Sequence, residues 1–326
     1  MMNKLTVSSS PHFRSPRTTR GIMLDVLIAL LPALIAGSVI FGLRALLVAA
    51  VCVGSALLAE FLFNLICKKP NTLGDLTAAV TGLILALNIQ VNVPLWQCAV
   101  GSVFAVIVVK CLFGGVGSNF ANPAVTARIF MLLCFTGTVG AAAAPIISPV
   151  GEKVLIGTSA TGATVDVVTG ATPLELLKWD GALPSLSDML LGIYGGAIGE
   201  TCTVAILIGF IYLVVRRVIH FETPLIFVGT VFVLALITEG SATLALYQIL
   251  SGGLMFGAVF MATDYVTTPI TRTGKMIFAF GAGVITFLIR YFGAYPEGVS
   301  YAILLMNILS PYIEKWTAPR ALGGAK

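Results

Sequence analysis

From Met23 to Tyr312 the chain is a succession of long apolar runs, separated by short turns and one long polar loop that carry most of its charge. Ala45 to Ile66, for example, contains a single ionisable acid, Glu60. A helix needs about 20 apolar residues to cross the hydrocarbon layer, and runs of this density have no place in a soluble core. The chain of 326 residues is 58% hydrophobic and only 10% charged, where soluble domains carry about 25% charged residues. These features define an all-α polytopic membrane protein. About ten segments are expected, near 22–43, 45–66, 76–90, 94–112, 124–146, 188–214, 224–238, 241–262, 274–290 and 299–313.

The net charge of +5 does not point to nucleic acid; its distribution explains it better. With the N-terminus inside, alternate loops place Lys4, Arg14, Arg17, Arg20, Lys68, Lys69, Lys110, Arg128, Arg216, Arg217, Arg272, Lys275, Lys315, Arg320 and Lys326 inside. Only Arg44, Lys153, Lys178 and Arg290 then fall outside. This asymmetry predicts cytoplasmic termini in a multi-pass inner (cytoplasmic) membrane protein. The expected organisation is a cytoplasmic segment 1–20, a first membrane repeat 21–146, an extracytoplasmic loop 147–187, a second membrane repeat 188–315 and a cytoplasmic tail 316–326. No small-residue cleavage site follows the first apolar run, so the first helix is expected to be retained.

Some segments are too short or too rich in glycine to be plain spans. Leu76 to Gln90 ends in a polar turn, and Leu190 to Glu200 reads Leu-Leu-Gly-Ile-Tyr-Gly-Gly-Ala-Ile-Gly-Glu. Paired interruptions at corresponding places in two halves are the mark of an internal repeat with broken helices. An odd number of spans in each half makes such repeats inverted. Close helix packing is the plainer reading of any single glycine.

Two proline-containing turns carry polar groups. Asn119 and Asn122 lie in Gly117-Ser118-Asn119-Phe120-Ala121-Asn122-Pro123, with Asn122 placed to cap the next helix; a capped inner loop and a helix start aimed at a polar ring both fit. Thr263 and Asp264 open Thr263-Asp264-Tyr265-Val266-Thr267-Thr268-Pro269, for which Arg272 and Lys275 are candidate ion partners of the acid. The two turns are expected to correspond through the repeat and to line one intramembrane site, for a flavin or a coupled ion. Asp25 suits the positive end of the first helix, whereas Glu60 and Glu200 stand among apolar or small residues, where ion binding and structural pairing are both open. The six cysteines are scattered without a Cys-x-x-Cys pair and read as packing residues, so no metal site is expected. His12 and His220 form no constellation.

The polar loop contains Asp166-Val167-Val168-Thr169-Gly170-Ala171-Thr172-Pro173, which looks like a flavin attachment site, a mobile loop rich in Thr, Gly and Ala being the plainer reading of the local pattern. Gly170 permits close approach of a phosphate, Ala171 adds no bulk, and Thr172 offers a hydroxyl for a phosphoester with FMN. A second copy, Thr161-Gly162-Ala163-Thr164, lacks an upstream acid equivalent to Asp166 and a following proline. Pro173 opens a short helix that Thr172 is expected to cap.

Ser10-Pro11-His12, Met23 to Pro32, Gly114 to Ala124, Thr169 to Leu174, Phe260 to Asp264 and Tyr295 to Val299 together resemble, in order and over nearly the whole chain, one known family. It unites the B subunit of the sodium-pumping NADH:quinone oxidoreductase with the D subunit of the Rnf complex, and the short N-terminal region is more similar to the latter. The resemblance implies FMN on Thr172, with riboflavin as a second, noncovalent flavin. It also implies electron transfer from ferredoxin to NAD coupled to sodium or proton movement, and a fold of two inverted five-helix repeats similar to urea transporters. Partner subunits would supply iron–sulfur clusters, other flavins and the NAD site, because this chain has neither a dinucleotide-binding domain nor a cysteine cluster. A solute channel or transporter without a redox cofactor is the main alternative, and an assembly scaffold a second.

Overall fold

A computed structural model describes residues 17–140, 143, 145, 172–178, 183–293 and 297–319. The attachment-motif residues Asp166, Thr169, Gly170 and Ala171 lie outside the described residues, as does the second copy at 161–164. All regular structure among the described residues is helical.

Helices α1 (Thr19–Phe41) and α2 (Arg44–Ile66) have 23 residues each; at 1.5 Å per residue each is roughly 35 Å long, enough to cross. With α10 (Glu222–Glu239) and α13 (Arg272–Phe292) they are the described helices long and apolar enough to span a membrane singly. A bent pair, α11 (Ala242–Leu250) with α12 (Leu254–Phe256), which continues as a π-helix over Gly257–Met261, is together long and apolar enough for a broken span or a re-entrant segment and turns through 65° at its break. The remaining apolar helices are shorter: α3 (Thr77–Leu87), α4 (Leu95–Phe104) running on as a π-helix over Ala105–Cys111, α5 (Pro123–Cys134) and α9 (Thr203–Val215). Single turns form α6 (Thr136–Val139), α7 (Pro173–Lys178) and α8 (Leu186–Leu191), and α14 (Val299–Thr317) closes the bundle. The protein is therefore an all-α, multi-pass membrane protein with broken helices in both halves.

Side-chain caps fix where several helices begin. Thr18 accepts from Gly21 N–H at 3.2 Å, Asn122 from Ala124 N–H at 3.0 Å, and Thr271 from Gly274 N–H at 3.1 Å. Helix contacts are close: α3 meets α2 at Gly82, where a Cβ would stand 2.8 Å from the carbonyl oxygen of Cys52. In lipid, where the hydrophobic effect gives no drive between helices, such close approach supplies the packing attraction.

One expected span stops early, and the glycine-rich segment expected to be interrupted is broken. Segment 124–146 stops as α5 at Cys134, and segment 188–214 is split into α8 and α9 by the non-helical stretch 192–202. The second stretch lies against the end of α3, where Gly199 N–H donates to Leu87 O at 2.7 Å and Ile198 N–H to Ile89 O at 3.1 Å. These bonds occupy carbonyls that the end of α3 would otherwise leave bare. Irregular backbone persists inside a membrane protein only when its polar groups find partners within the protein.

Arg17 bonds the carbonyls of Arg216 and Arg217 just after α9, Tyr265 from the turn before α13 donates to Val218 O, and Thr271 meets Thr317 at 2.6 Å, so the start of α1 and the end of α14 share one end of the bundle. At the opposite end Lys178 donates to Gly293 O beyond α13, and Arg44 donates to Asn92 O at 3.3 Å. Thr172 thus stands at the end away from the start of α1 and the end of α14.

Candidate functional site: two polar cavities

Each end of the bundle contains a cavity built from residues far apart in sequence. The first, of about 100 Å³, is lined by Thr77, Lys110, Asn119, Asn122, Thr263 and Asp264, among apolar residues of α1, α3 and α9. The four residues expected from the two proline turns are brought together here. Asn122 donates from its amide to Met261 O at 3.4 Å while capping α5, and Asn119 has a buried Oδ1 without a partner among the described residues. Both turns lie at the same end of the molecule, whereas an axis in the membrane plane would carry one to the opposite end. Packing between the turns, rather than the expected correspondence through the repeat, creates their juxtaposition.

Asp264 does not pair with Arg272 or Lys275. Its carboxylate accepts from Thr267 Oγ1 at 3.0 Å and Val266 N–H at 3.4 Å, forming a local turn, while Arg272 Nε donates to Glu222 at 2.8 Å. The turn bends the chain so that the acid meets the nearer hydroxyl and amide first. Asp25 departs from expectation in the same way: it lies in the second turn of α1 and bonds Arg216 at 3.1 Å and the Tyr212 hydroxyl at 3.1 Å.

The π-helical end of α4 turns Lys110 into the bundle. Its ammonium donates to Glu60 at 2.8 Å and Thr77 Oγ1 at 2.7 Å. Thr72 donates to the same Glu60 oxygen at 2.6 Å and accepts from Asn64 at 3.0 Å. Glu60 is thus a paired structural anion. π-Helical turns inside longer helices frequently occur at functional sites because they redirect one side chain.

The second cavity, of about 140 Å³, brings Thr172 and Glu175 against Asn88, Gln90, Arg128 and Glu297, closed by Leu132 and Val139. Thr172 is the cap of α7, as expected. Glu175 N–H donates to Thr172 Oγ1 at 3.2 Å, and Thr172 N–H donates to the Glu175 carboxylate at 2.8 Å. This reciprocal capping box fixes the Thr172 side chain at the cavity rim.

Arg128, on α5, is buried and donates to Asn88 Oδ1, Glu200 and Glu297. Glu200 comes from the non-helical stretch before α9, and Glu297 from just before α14. Arg290 is buried nearby and donates to Ser251 O at 3.2 Å. Arg128 and Lys110 are therefore buried within the bundle and drop out of the loop-charge comparison. Asn88 stands between the cavities, its amide donating to Met261 Sδ at 3.4 Å while its oxygen receives Arg128.

Sequence reasoning missed Glu175, Gln90, Arg128 and Glu297 as neighbours of Thr172. Thr172-Pro173-Leu174-Glu175 has the spacing of a capping box, and Arg128 is a charge within an apolar run; both signals were available. Gln90 carries no such signal, because its neighbourhood depends on the break after α3.

The cavities, broken helices and buried ion clusters define a multi-pass membrane protein built around intramembrane polar sites. Residues 6–323 match the model of the NQR2, RnfD, RnfE family, and the chain belongs to that family. A protein of Acetobacterium woodii, named as the D subunit of a Na(+)-translocating ferredoxin:NAD(+) oxidoreductase complex, is 44% identical over 99% of this chain and 96% of its own length. The corresponding protein of Clostridium ljungdahlii, named for a proton-translocating complex, is 38% identical over 98% of this chain and 97% of its own. A Haemophilus influenzae protein, named as the D subunit of an ion-translocating oxidoreductase complex, is also 38% identical, over 97% of each chain.

Proposed function

We propose that this chain is the D-type membrane subunit of an ion-translocating ferredoxin:NAD oxidoreductase complex, and that Thr172 carries FMN through a phosphoester at its Oγ1. The full-length similarity to proteins named for that role carries the assignment to the complex. The flavin reading is supported by the Thr172 hydroxyl at the rim of a polar cavity, held there by Glu175. The residues fit such a group: an ester oxygen still accepts a hydrogen bond, so the cap survives esterification, and the buried Gln90 Oε1 beside it lacks a partner among the described residues. Asp166, Thr169, Gly170 and Ala171 complete the attachment motif.

When bound, the flavin accepts and passes on one or two electrons. The protein anchors it and holds the surrounding dipoles fixed; partner subunits bearing iron–sulfur clusters, further flavins and the NAD site complete the path. The relatives are named for different ions, so the coupled ion is proposed to be sodium or a proton. The cavity of Asn119, Asn122, Thr263 and Asp264 is the proposed site for riboflavin or for the coupled ion. The termini are proposed to face the cytoplasm and the Thr172 loop the outside of the inner membrane.

Mass spectrometry of the 154–178 segment from the native complex tests the central claim. Thr172→Val removes the nucleophilic oxygen and abolishes the FMN adduct, whereas Thr164→Val retains it; the reverse pattern would refute the assignment.

A further inference from the structure

We propose that the cavity beside Thr172 seats the ribityl chain of the tethered flavin, with Gln90 as a positioning residue. This rests on the reading that Thr172 carries FMN. Size sets the first limit. An apolar cavity of about 150 Å³ accommodates one benzene, so a cavity of about 140 Å³ takes a short chain or one ring and excludes a three-ring isoalloxazine.

Hydrogen-bond polarity decides which part of FMN enters. The wall is mixed, with Arg128 and Thr136 as donors and the carboxylates of Glu175 and Glu297 already engaged by Thr172 N–H and Arg128, whereas Gln90 Oε1 is buried and has no donor among the described residues. Phosphate oxygens and ring carbonyls are acceptors and cannot complement Gln90 Oε1. Ribityl hydroxyls donate and accept. A hydroxyl directed at Gln90 Oε1 would satisfy the orphaned atom, and a buried acceptor left without a donor is unfavourable.

Position agrees with polarity. The ribityl chain is the part of FMN that directly follows the phosphate, and Thr172 lines the cavity, so the polyol is the part held nearest its wall. Gln90 follows the break after α3, in the backbone that pairs with residues 198 and 199. That pairing gives it a fixed position. The ring would then lie beyond the cavity, held by its chain.

Fluorescence of the Thr172-linked flavin in the intact complex provides the test, with the mass adduct measured on each variant. Gln90→Leu keeps the adduct, lowers flavin anisotropy and increases quenching by iodide, because the chain loses its anchor. Gln90→Glu retains an acceptor oxygen and keeps the parental anisotropy. Val139→Phe fills the cavity from α6 without altering its polar wall and reproduces the Gln90→Leu behaviour. Parental anisotropy and quenching in both Gln90→Leu and Val139→Phe would overturn the proposal, as would equal disturbance by Gln90→Glu and Gln90→Leu. An unmodified Thr172 in the parent complex would instead overturn the underlying flavin assignment.

Discussion

Lys110 and Arg128 are both buried cations in a largely apolar bundle, but they are neutralised over different distances along the chain. Lys110 meets Glu60 and Thr77 and, through Glu60, Thr72, all within the first membrane half. Arg128 meets Asn88 from that half, and Glu200 and Glu297 from the second. One cluster completes the inward face of a redirected helix. The other joins the two halves beside Thr172. An intramembrane charge can thus act as a local plug or as a cross-link, depending on which elements supply its counter-charges.

The largest effect should come from breaking the cross-link. Arg128→Met leaves the buried Glu200 and the partly buried Glu297 without their cation, and removing one partner of a buried pair costs about 3–5 kcal/mol. The expected outcome is strongly reduced accumulation in the membrane and a lower unfolding temperature in detergent. Parental stability would show that the halves are held by packing alone.

A smaller loss, about 3 kcal/mol, is expected for Lys110→Met, because Glu60 retains the Thr72 hydroxyl. Here the contrast between the two cations sharpens: replacing Lys110 by Met and Glu60 by Leu together should restore stability to within about 1 kcal/mol of the parent, since apolar residues of similar volume substitute well for a buried ion pair. A double-mutant cycle in detergent reads this directly. No single second substitution should restore Arg128→Met, whose counter-charges come from two separate segments.

The smallest effect belongs to the rim of the Thr172 cavity. Glu175→Ala removes half of the capping box and should cost about 1 kcal/mol, confined to α7. Faster amide exchange across Pro173–Lys178, with exchange in α5 unchanged, is the expected result. Faster exchange in α5 as well would mean that the rim and the Arg128 cluster behave as one unit.

Much of this architecture was legible along the chain. The apolar runs predicted α1, α2, α10 and α13 to within a few residues, because a helix in lipid satisfies its own backbone and needs little from its neighbours. Thr172 was legible as a cap from its position before Pro173, and Asn122 from its position before Pro123. The partners of Asp25, Asp264 and Arg272 were not. Each depends on which charged or hydroxyl group folding brings within about 3 Å, and sequence proximity suggested the wrong neighbour for Asp264.

The sequence by itself determined the membrane class, the family, the glycine-rich break before α9 and the residues able to cap helices, because hydrophobic length and local hydrogen bonding act along the chain. Only the tertiary structure decided that the Asn119/Asn122 and Thr263/Asp264 turns share one cavity at one end, and that Thr172 shares another with Gln90, Arg128 and Glu297. The second neighbourhood rests on the carbonyls of Leu87, at the end of α3, and Ile89, just beyond it, finding their donors at Gly199 and Ile198. Satisfying buried backbone groups across such a separation is a property of the packed bundle, and no local pattern encodes it.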